Sequence, residues 1–121
     1  MRLSMSESQE QKALIQFCDY QNIPIFAIPN GGKRNPKEAA ELKRQGVKAG
    51  VPDLFVPVPA GEYHGCFIEM KYGKNKPTKQ QKEWMAKLSK NNYACYICYS
   101  CEEAVNCIRK YLSRRGNVWN N

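Results

Sequence analysis

The sequence predicts an α/β domain in which a small mixed β-sheet is flanked by helices. Along its 121 residues, segments with apolar residues at helical spacing alternate with short apolar runs of strand length. Their predicted order is α-β-α-β-β-α-β-α, which is typical of helices packed against one sheet. A chain of this length has room for one hydrophobic core, so residues 1–121 are predicted to form a single domain.

Each predicted element is delimited by capping, turn or apolar residues. Ser, Thr and Asn residues precede four helical patterns, and their side chains can accept a hydrogen bond from the first turn. The predicted helices span residues 4 or 6 to 20, 35–46, 78–91 and 100–112. The predicted strands span residues 23–28, with an interruption at Pro24, and residues 53–58, 66–71 and 93–99. Residues 59–65 are predicted to join the middle two as a hairpin. Residues 116–121 are predicted to be a frayed tail.

The charge balance of the chain is strongly basic. There are 19 Lys and Arg residues against 11 Asp and Glu residues, a formal net charge of +8. A basic surface attracts polyanions, so nucleic acid is the expected partner. No apolar run approaches the roughly 18 residues of a membrane span, and the N-terminus lacks the apolar segment of a signal peptide. The expectation is a soluble, cytoplasmic protein without a membrane partner.

The six cysteines are expected to be reduced thiols, because no secretory signal accompanies them. Cys95, Cys98 and Cys101 have the C-x2-C-x2-C spacing of an iron–sulfur or zinc site, so a redox or cluster-binding protein is one alternative. The apolar residues around them favour a buried strand instead, on which residues three apart face opposite sides. Packing is therefore the favoured interpretation of this spacing.

Asp53, Glu69 and Lys71 form the main candidate site. Asp53 ends a Gly-Val-Pro-Asp segment before an apolar run, and Glu69 and Lys71 end a second apolar run. Side chains two apart on a strand share a face, so Glu69 and Lys71 should project together while Met70 faces the core. Two carboxylates can hold a hard divalent cation and a lysine can orient a water, which suits phosphodiester hydrolysis. Taken singly, each residue also fits a turn or a surface ion pair.

Glu7, Glu10 and Gln81 are further candidates, each with a structural alternative. Glu7 or Glu10 on the first helix can add a carboxylate to the site, although Ser4 and Glu7 also have the spacing of a capping box. Gln81 has the same spacing from Thr78, and it can also reach a ligand or a lysine. We expect both roles of Gln81 to be compatible only if its side chain serves one partner at a time.

Basic residues and a glycine loop make the candidate DNA-binding surface. Backbone N–H groups and positive side chains both bind phosphates, although charged runs also occur on solvated helix faces. The candidates are Asn30, Gly31, Gly32, Lys33, Arg34, Lys43, Arg44, Lys48, Lys74 and Lys76. The glycine loop does not fit a nucleotide-triphosphate loop, since the first glycine and the Ser or Thr of that motif are absent. His64, the single histidine, is predicted to be a solvated loop residue.

Together, these residues resemble the PD-(D/E)xK nuclease superfamily. Pro52-Asp53, a fifteen-residue gap and Glu69-Met70-Lys71 match its signature. More narrowly, the chain resembles the stand-alone VRR-NUC domains of phages and bacteria, through stretches that span nearly its whole length. These stretches are residues 6–11, 28–32, 38–40, 46–54, 63–65 and 81–84.

The resemblance implies a restriction-endonuclease-like core and an endonuclease that uses Mg²⁺ or Mn²⁺. Its metal ligands would be Asp53, Glu69, Glu7 and a backbone carbonyl of Met70 or Ile68. Lys71 would be the catalytic lysine and Gln81 a motif glutamine, and Glu7 matches the acid of the first helix better than Glu10 does. The resemblance further implies a homodimer that acts on branched DNA, notably four-way junctions. A flap- or single-strand-directed nuclease and a non-catalytic basic DNA-binding module are the alternatives.

Overall fold

Helices surround a four-stranded sheet in the computed structural model, which describes residues 5–29 and 35–120. The helices are α1 (Glu7–Tyr20), α2 (Pro36–Arg44), α3 (Lys79–Lys90) and α4 (Cys101–Leu112). The strands are β1 (Phe26–Ala27), β2 (Leu54–Val56), β3 (Cys66–Met70) and β4 (Ala94–Cys98). This α-β-α-β-β-α-β-α order confirms the predicted α/β class.

The sheet has the strand order β1-β2-β3-β4 and mixes antiparallel and parallel pairing. The first three strands are antiparallel, with Phe26 opposite Phe55 and Phe55 opposite Phe67. The connection between β2 and β3 is therefore the predicted hairpin. β4 lies parallel to β3, and α3 forms the crossover between them, as a parallel pair requires.

The main core lies between one face of the sheet and helices α1 and α4. Leu14 from α1, Ile68 from β3 and Ile108 from α4 are fully buried in it. Tyr111 is also fully buried, and its hydroxyl donates a 2.6 Å hydrogen bond to the Val58 carbonyl. This burial removes apolar surface from water and leaves the tyrosine hydroxyl paired, so both contributions favour the folded state.

The opposite face of the sheet is covered in part by α3. Cys95 lies on this side, with Sγ 3.9 Å from the Met85 carbonyl of α3, whereas Cys98 is buried in the main core. Residues three apart on β4 therefore face opposite sides, as predicted. Over residues 5–29 and 35–116, no three His, Cys, Asp or Glu side chains are grouped to hold a metal ion. The cysteine spacing thus reflects packing on two sides of one strand.

Two segments differ from the predicted elements for backbone reasons. β1 retains only two residues of the predicted strand, because Asn22 turns the chain with φ of 58° and Pro24 has no N–H for a ladder. Of the predicted tail, residues 116–120 belong to a 3-10 helix, Ser113–Asn120, which is interrupted at Gly116, and residue 121 lies outside the described residues. No helix in the described ranges is long and apolar enough to cross a membrane.

Candidate active site

Asp53 is held at the start of β2 by hydrogen bonds to both neighbouring segments. Its Oδ2 atom accepts a 2.9 Å hydrogen bond from the Met70 backbone N–H. Its carbonyl oxygen accepts one of 2.7 Å from the N–H of Ile28. Because side chain and backbone are both anchored, the carboxylate is fixed beside the end of β3.

Gly50 brings the segment before Asp53 against the first turn of α3. Its φ of 92° lies in the left-handed region, and a Cβ atom at this position would lie 2.7 Å from the backbone carbonyl of Gln80. Only glycine permits this approach. The sequence interpretation did not identify this supporting residue, although a glycine three residues before a candidate aspartate was a signal for it.

Glu69 and Lys71 project from the same face of β3, as predicted. The Lys71 Nζ atom lies 3.7 Å from Glu69 Oε2, and Glu69 is only 4% exposed. Met70, between them, is fully buried in the main core. The pair is therefore a buried arrangement, not the solvated surface ion pair that was the alternative for these two residues.

Gln81 serves the site and the helix cap at the same time. Its Nε2 atom donates a 3.1 Å hydrogen bond to Glu69 Oε2, while its Oε1 atom accepts one of 2.9 Å from the Thr78 N–H. The expectation that Gln81 serves one partner at a time is wrong, because the two ends of an amide bind different partners. The capping bond fixes the side chain and thereby aims its N–H at Glu69.

The carboxyl groups of Asp53 and Glu69 share a hydrogen bond. Burial and the charge of Asp53 raise the pKa of Glu69 to about 8, although the Lys71 ammonium opposes this. Burial also raises the pKa of Asp53, and the hydrogen bond from the Met70 N–H partly offsets that effect. At neutral pH and without a bound cation, the pair therefore shares one proton, which burial favours on Glu69.

This donor set fits a hard divalent cation. Two adjacent carboxylates, that of buried Glu69 and that of half-buried Asp53, repel each other when both are ionised, and one ammonium, that of Lys71, does not balance both charges. A divalent cation would compensate the remaining charge and take the place of the shared proton. Carboxylate and carbonyl oxygens are the ligands that Mg²⁺ and Mn²⁺ prefer.

The two acids of α1 lie in different surroundings. Glu10 is buried, and its Oε2 atom accepts a 3.3 Å hydrogen bond from the first N–H of α4, so it joins the two helices. Glu7 is exposed, and its negative charge contributes to raising the pKa of Glu69. The capping box of α1 is formed by Ser6 and Gln9, so the capping role considered for Glu7 is wrong.

Half of the candidate DNA-binding residues lie on two described segments, the loop from β3 to α3 and the segment of α2 with the residues that follow it. Lys74 and Lys76 are exposed on the loop from β3 to α3, which the Tyr99 hydroxyl holds through a 2.8 Å hydrogen bond to the Asn75 carbonyl. The other described candidates are Lys43, Arg44 and Lys48, all exposed in or after α2. The remaining candidates, Asn30, Gly31, Gly32, Lys33 and Arg34, lie outside the described residues.

Arg44 is the least available of the described candidates. Its guanidinium donates hydrogen bonds of 2.6 and 3.2 Å to Glu41 Oε2, which partly neutralises its charge. Lys43 and Lys48 instead line a groove between α2 and α3. The basic surface of this part of the chain therefore depends on these lysines more than on Arg44.

Comparison with known proteins shows the family to which the chain belongs. The family model of the VRR-NUC domain matches residues 5–102, which include every described candidate of the site. A solved structure described as a VRR_NUC domain protein is 29% identical, with a TM-score of 0.80, and the match covers 93% of this chain and 92% of that one. No curated protein matches the chain. The chain therefore belongs to the VRR-NUC domain family and is a nuclease of the PD-(D/E)xK type.

Proposed function

We propose that this chain is a DNA endonuclease that requires Mg²⁺ or Mn²⁺. The observation that supports the proposal is the carboxyl pair of half-buried Asp53 and buried Glu69, with Lys71 Nζ 3.7 Å from Glu69 Oε2. Two carboxylates and an ammonium at one point suit the hydrolysis of a phosphodiester. The net charge of +8 suits a polyanionic substrate.

The proposed ligands of the cation are Asp53, Glu69 and the Met70 carbonyl, and Glu7 would join them when the cation binds, since the three acids are not grouped in this structure. When bound, the cation would lower the pKa of a water molecule and neutralise charge that develops on the phosphate. Asp53 is already oriented by the Met70 N–H and Glu69 by Gln81. Such anchoring keeps the ligand oxygens in place before the substrate arrives.

Lys71 is the proposed catalytic lysine. Its ammonium lies beside Glu69 and is mostly buried, so a hydrogen bond that it donates is weakly screened by water. Lys71 orients the attacking water or stabilises the negative oxygens of the phosphate in the transition state. Gln81 contributes indirectly, since it positions Glu69.

Branched DNA, with four-way junctions first, is the proposed substrate, and a homodimer is the proposed active form. Support comes from the resemblance to stand-alone VRR-NUC domains and from exposed lysines near the site. A symmetric pair of sites can act on two strands of one junction. Because the substrate is DNA, the proposed location is the cytoplasm, that of the bacterial host if the chain is encoded by a phage.

The proposal is tested by cleavage of a DNA panel of matched sequence: four-way junction, flap, single strand and duplex. We expect cleavage with Mg²⁺ or Mn²⁺, none with a chelator, and none by Asp53→Asn with either metal. Cleavage after removal of metal would contradict the metal dependence. Binding without cleavage would favour the non-catalytic module, and preference for flaps or single strands would contradict the junction assignment. Light scattering measures the molar mass and so tests the homodimer.

A further inference from the structure

The groove between α2 and α3 is an apolar surface that the proposed chemistry does not use. It has a volume of about 410 Å³, which is within the range of small-molecule sites. Leu42, Val47 and Trp84 line it, and Trp84 is only half-buried. Neither α2 nor α3 contains a buried residue, so these helices contribute little to the main core.

The groove is bordered by positive charge. Lys43, Lys48 and Lys87 line it and are exposed. Among the described lining residues, Glu83 is the acidic one, and its Oε1 atom lies 3.9 Å from the ammonium of Lys79. An apolar floor beneath several lysines is complementary to a ligand with a flat apolar part and a negative backbone.

The groove adjoins the active site through the contact between Gly50 and α3. Ala49 and Gln80 line the groove, and Gly50, which follows Ala49, packs against the Gln80 backbone. Gln81 is the next residue of α3 and binds Glu69. The groove and the carboxylates are therefore bordered by consecutive residues of α3, Gln80 and Gln81.

We propose that this groove receives an unpaired base of the DNA substrate, stacked on Trp84, with neighbouring phosphates on Lys43 and Lys48. The inference rests on the proposed function and specifies the part of the substrate that the groove binds. A base in a duplex is stacked on both sides, whereas an unpaired base has a free face for an aromatic ring. A flap offers such bases on its single-stranded arm, whereas a four-way junction offers one only when a pair at its branch point opens.

Lys87 is compatible with this stacking. Its ammonium lies 5.0 Å from the centre of the Trp84 ring. A base stacked on an indole gains more than an exposed cation–π contact does, so the base can replace the ammonium on the ring. The flexible Lys87 side chain then remains near enough to pair with a phosphate.

Binding of labelled oligonucleotides tests the proposal, using the full chain with Asp53→Asn so that the DNA is not cut. The probes are a single-stranded oligothymidine and a blunt duplex with the same number of phosphates. We expect Trp84→Leu, which keeps an apolar side chain in the groove, to lose about fivefold or more in affinity for the single strand only. An equal loss for both probes, or no loss, would overturn the inference.

Two exposed lysines provide a second variant that does not depend on groove packing. Lys43→Gln and Lys48→Gln together should weaken the salt dependence of single-strand binding. The slope of log affinity against log salt concentration should fall by about one for each lost phosphate contact. The matched control is Lys110→Gln, because Lys110 is exposed on α4 at the opposite face of the sheet. If the control has the same effect as the pair, the groove has no special role and the inference is wrong.

Fluorescence and molar mass complete the test. In a Trp119→Phe chain, Trp84 is the remaining tryptophan, and oligothymidine but not the blunt duplex should quench its emission. A change from dimer to monomer in Trp84→Leu would assign the groove to a second copy of the chain and overturn the inference. If the unsubstituted chain cuts no DNA, the proposed function fails, while the binding comparison still decides whether the groove takes a base.

Discussion

Gln81 connects the cap of α3 to Glu69 through the two ends of one amide group. The 2.9 Å bond from the Thr78 N–H to Oε1 fixes the amide, and the 3.1 Å bond from Nε2 orients the carboxyl group. A structural feature of the helix terminus therefore positions a proposed metal ligand. This relationship predicts that mutations can separate the stability of the α3 cap from the orientation of Glu69.

Thr78→Ala removes the hydroxyl that accepts a hydrogen bond from the Gln81 backbone N–H, whereas Gln81→Glu changes the bond to Glu69. Thr78→Ala should reduce the free energy of unfolding by about 1 kcal/mol and leave most cleavage activity, because the bond from Gln81 to Glu69 survives. Gln81→Glu keeps an oxygen that accepts the capping bond, but it places a second carboxylate next to Glu69 in place of an N–H donor. Cleavage should therefore fall, and the metal-free protein should melt at a lower temperature. Thermal unfolding and cleavage rates check both. Equal loss of cleavage in the two variants would contradict the separation.

Lys71→Met should leave a folded protein with a cleavage rate about 10²–10³-fold lower. Methionine retains much of the side-chain volume but has no ammonium to donate to water or phosphate. Lys76→Met is the matched control, since Lys76 is exposed on the loop to α3 and should keep near-normal chemistry with somewhat weaker DNA binding. Single-turnover cleavage at saturating protein separates the two effects. Retention of the full rate in Lys71→Met would show that the lysine is not catalytic.

The site could be predicted from the sequence where the geometry is local. Glu69 and Lys71 are two apart on one strand, so the period of a strand alone places them on one face. The bond from Asp53 to the Met70 N–H depends instead on the pairing of β2 with β3. No local sequence pattern predicts that register. The pattern therefore offered Asp53 only as a candidate, and the resemblance to a known family was needed to predict that it lies beside Glu69.

The double role of Gln81 and the half-burial of Trp84 could not be predicted for the same reason. Apolar spacing on a helix identifies an inner side, but it does not say how much of that side another element covers. α3 covers only part of its sheet face, so Trp84 borders a groove instead of filling a core. The fold class and element order depend mainly on caps, turns and apolar runs, which are local, and they were predicted.

The pH dependence of stability follows from the shared proton of Glu69. The pKa of Glu69 is about 8 in the folded protein, whereas its ordinary value is 4.5. Between these two pH values, the folded protein therefore holds a proton that the unfolded chain has released. This contribution to stability is complete below the ordinary value and is lost as the pH rises through about 8. In the presence of a chelator, the melting temperature should therefore fall as the pH rises from 4.5 to about 8.

Glu69→Gln is the control for the pH prediction, because its amide does not titrate. This variant should lose most of the decline in melting temperature, and Mg²⁺ should stabilise it less than the unsubstituted chain. Mg²⁺ added to the unsubstituted chain should reduce the decline, since the cation takes the place of the proton. Identical pH profiles for the two metal-free proteins would contradict the assignment of the proton to Glu69.

The buried hydroxyl of Tyr111 should contribute measurably to stability. Tyr111→Phe removes the donor of the 2.6 Å bond and leaves the Val58 carbonyl without that partner in the core. We expect the free energy of unfolding to fall by about 1–3 kcal/mol in urea titrations, with normal cleavage below the transition. Tyr20→Phe is the matched control, since Tyr20 is 84% exposed, and it should not change stability. Equal stability of the two variants would contradict the role of the buried bond.

Gly50→Ala should affect both stability and catalysis, because this glycine sets the distance between the Asp53 segment and α3. A methyl group there meets the Gln80 backbone at 2.7 Å, so α3 must shift and carry Gln81 away from Glu69. Gly46→Ala is the matched control, because Gly46 has a similar φ of 105° but nothing lies within 4 Å of an added Cβ. Its cost should therefore be the backbone strain alone, about 1–3 kcal/mol. We expect Gly46→Ala to lower only the melting temperature, and Gly50→Ala to lower it further and to slow cleavage measured below both transitions. Normal cleavage in Gly50→Ala would show that this contact does not position the site.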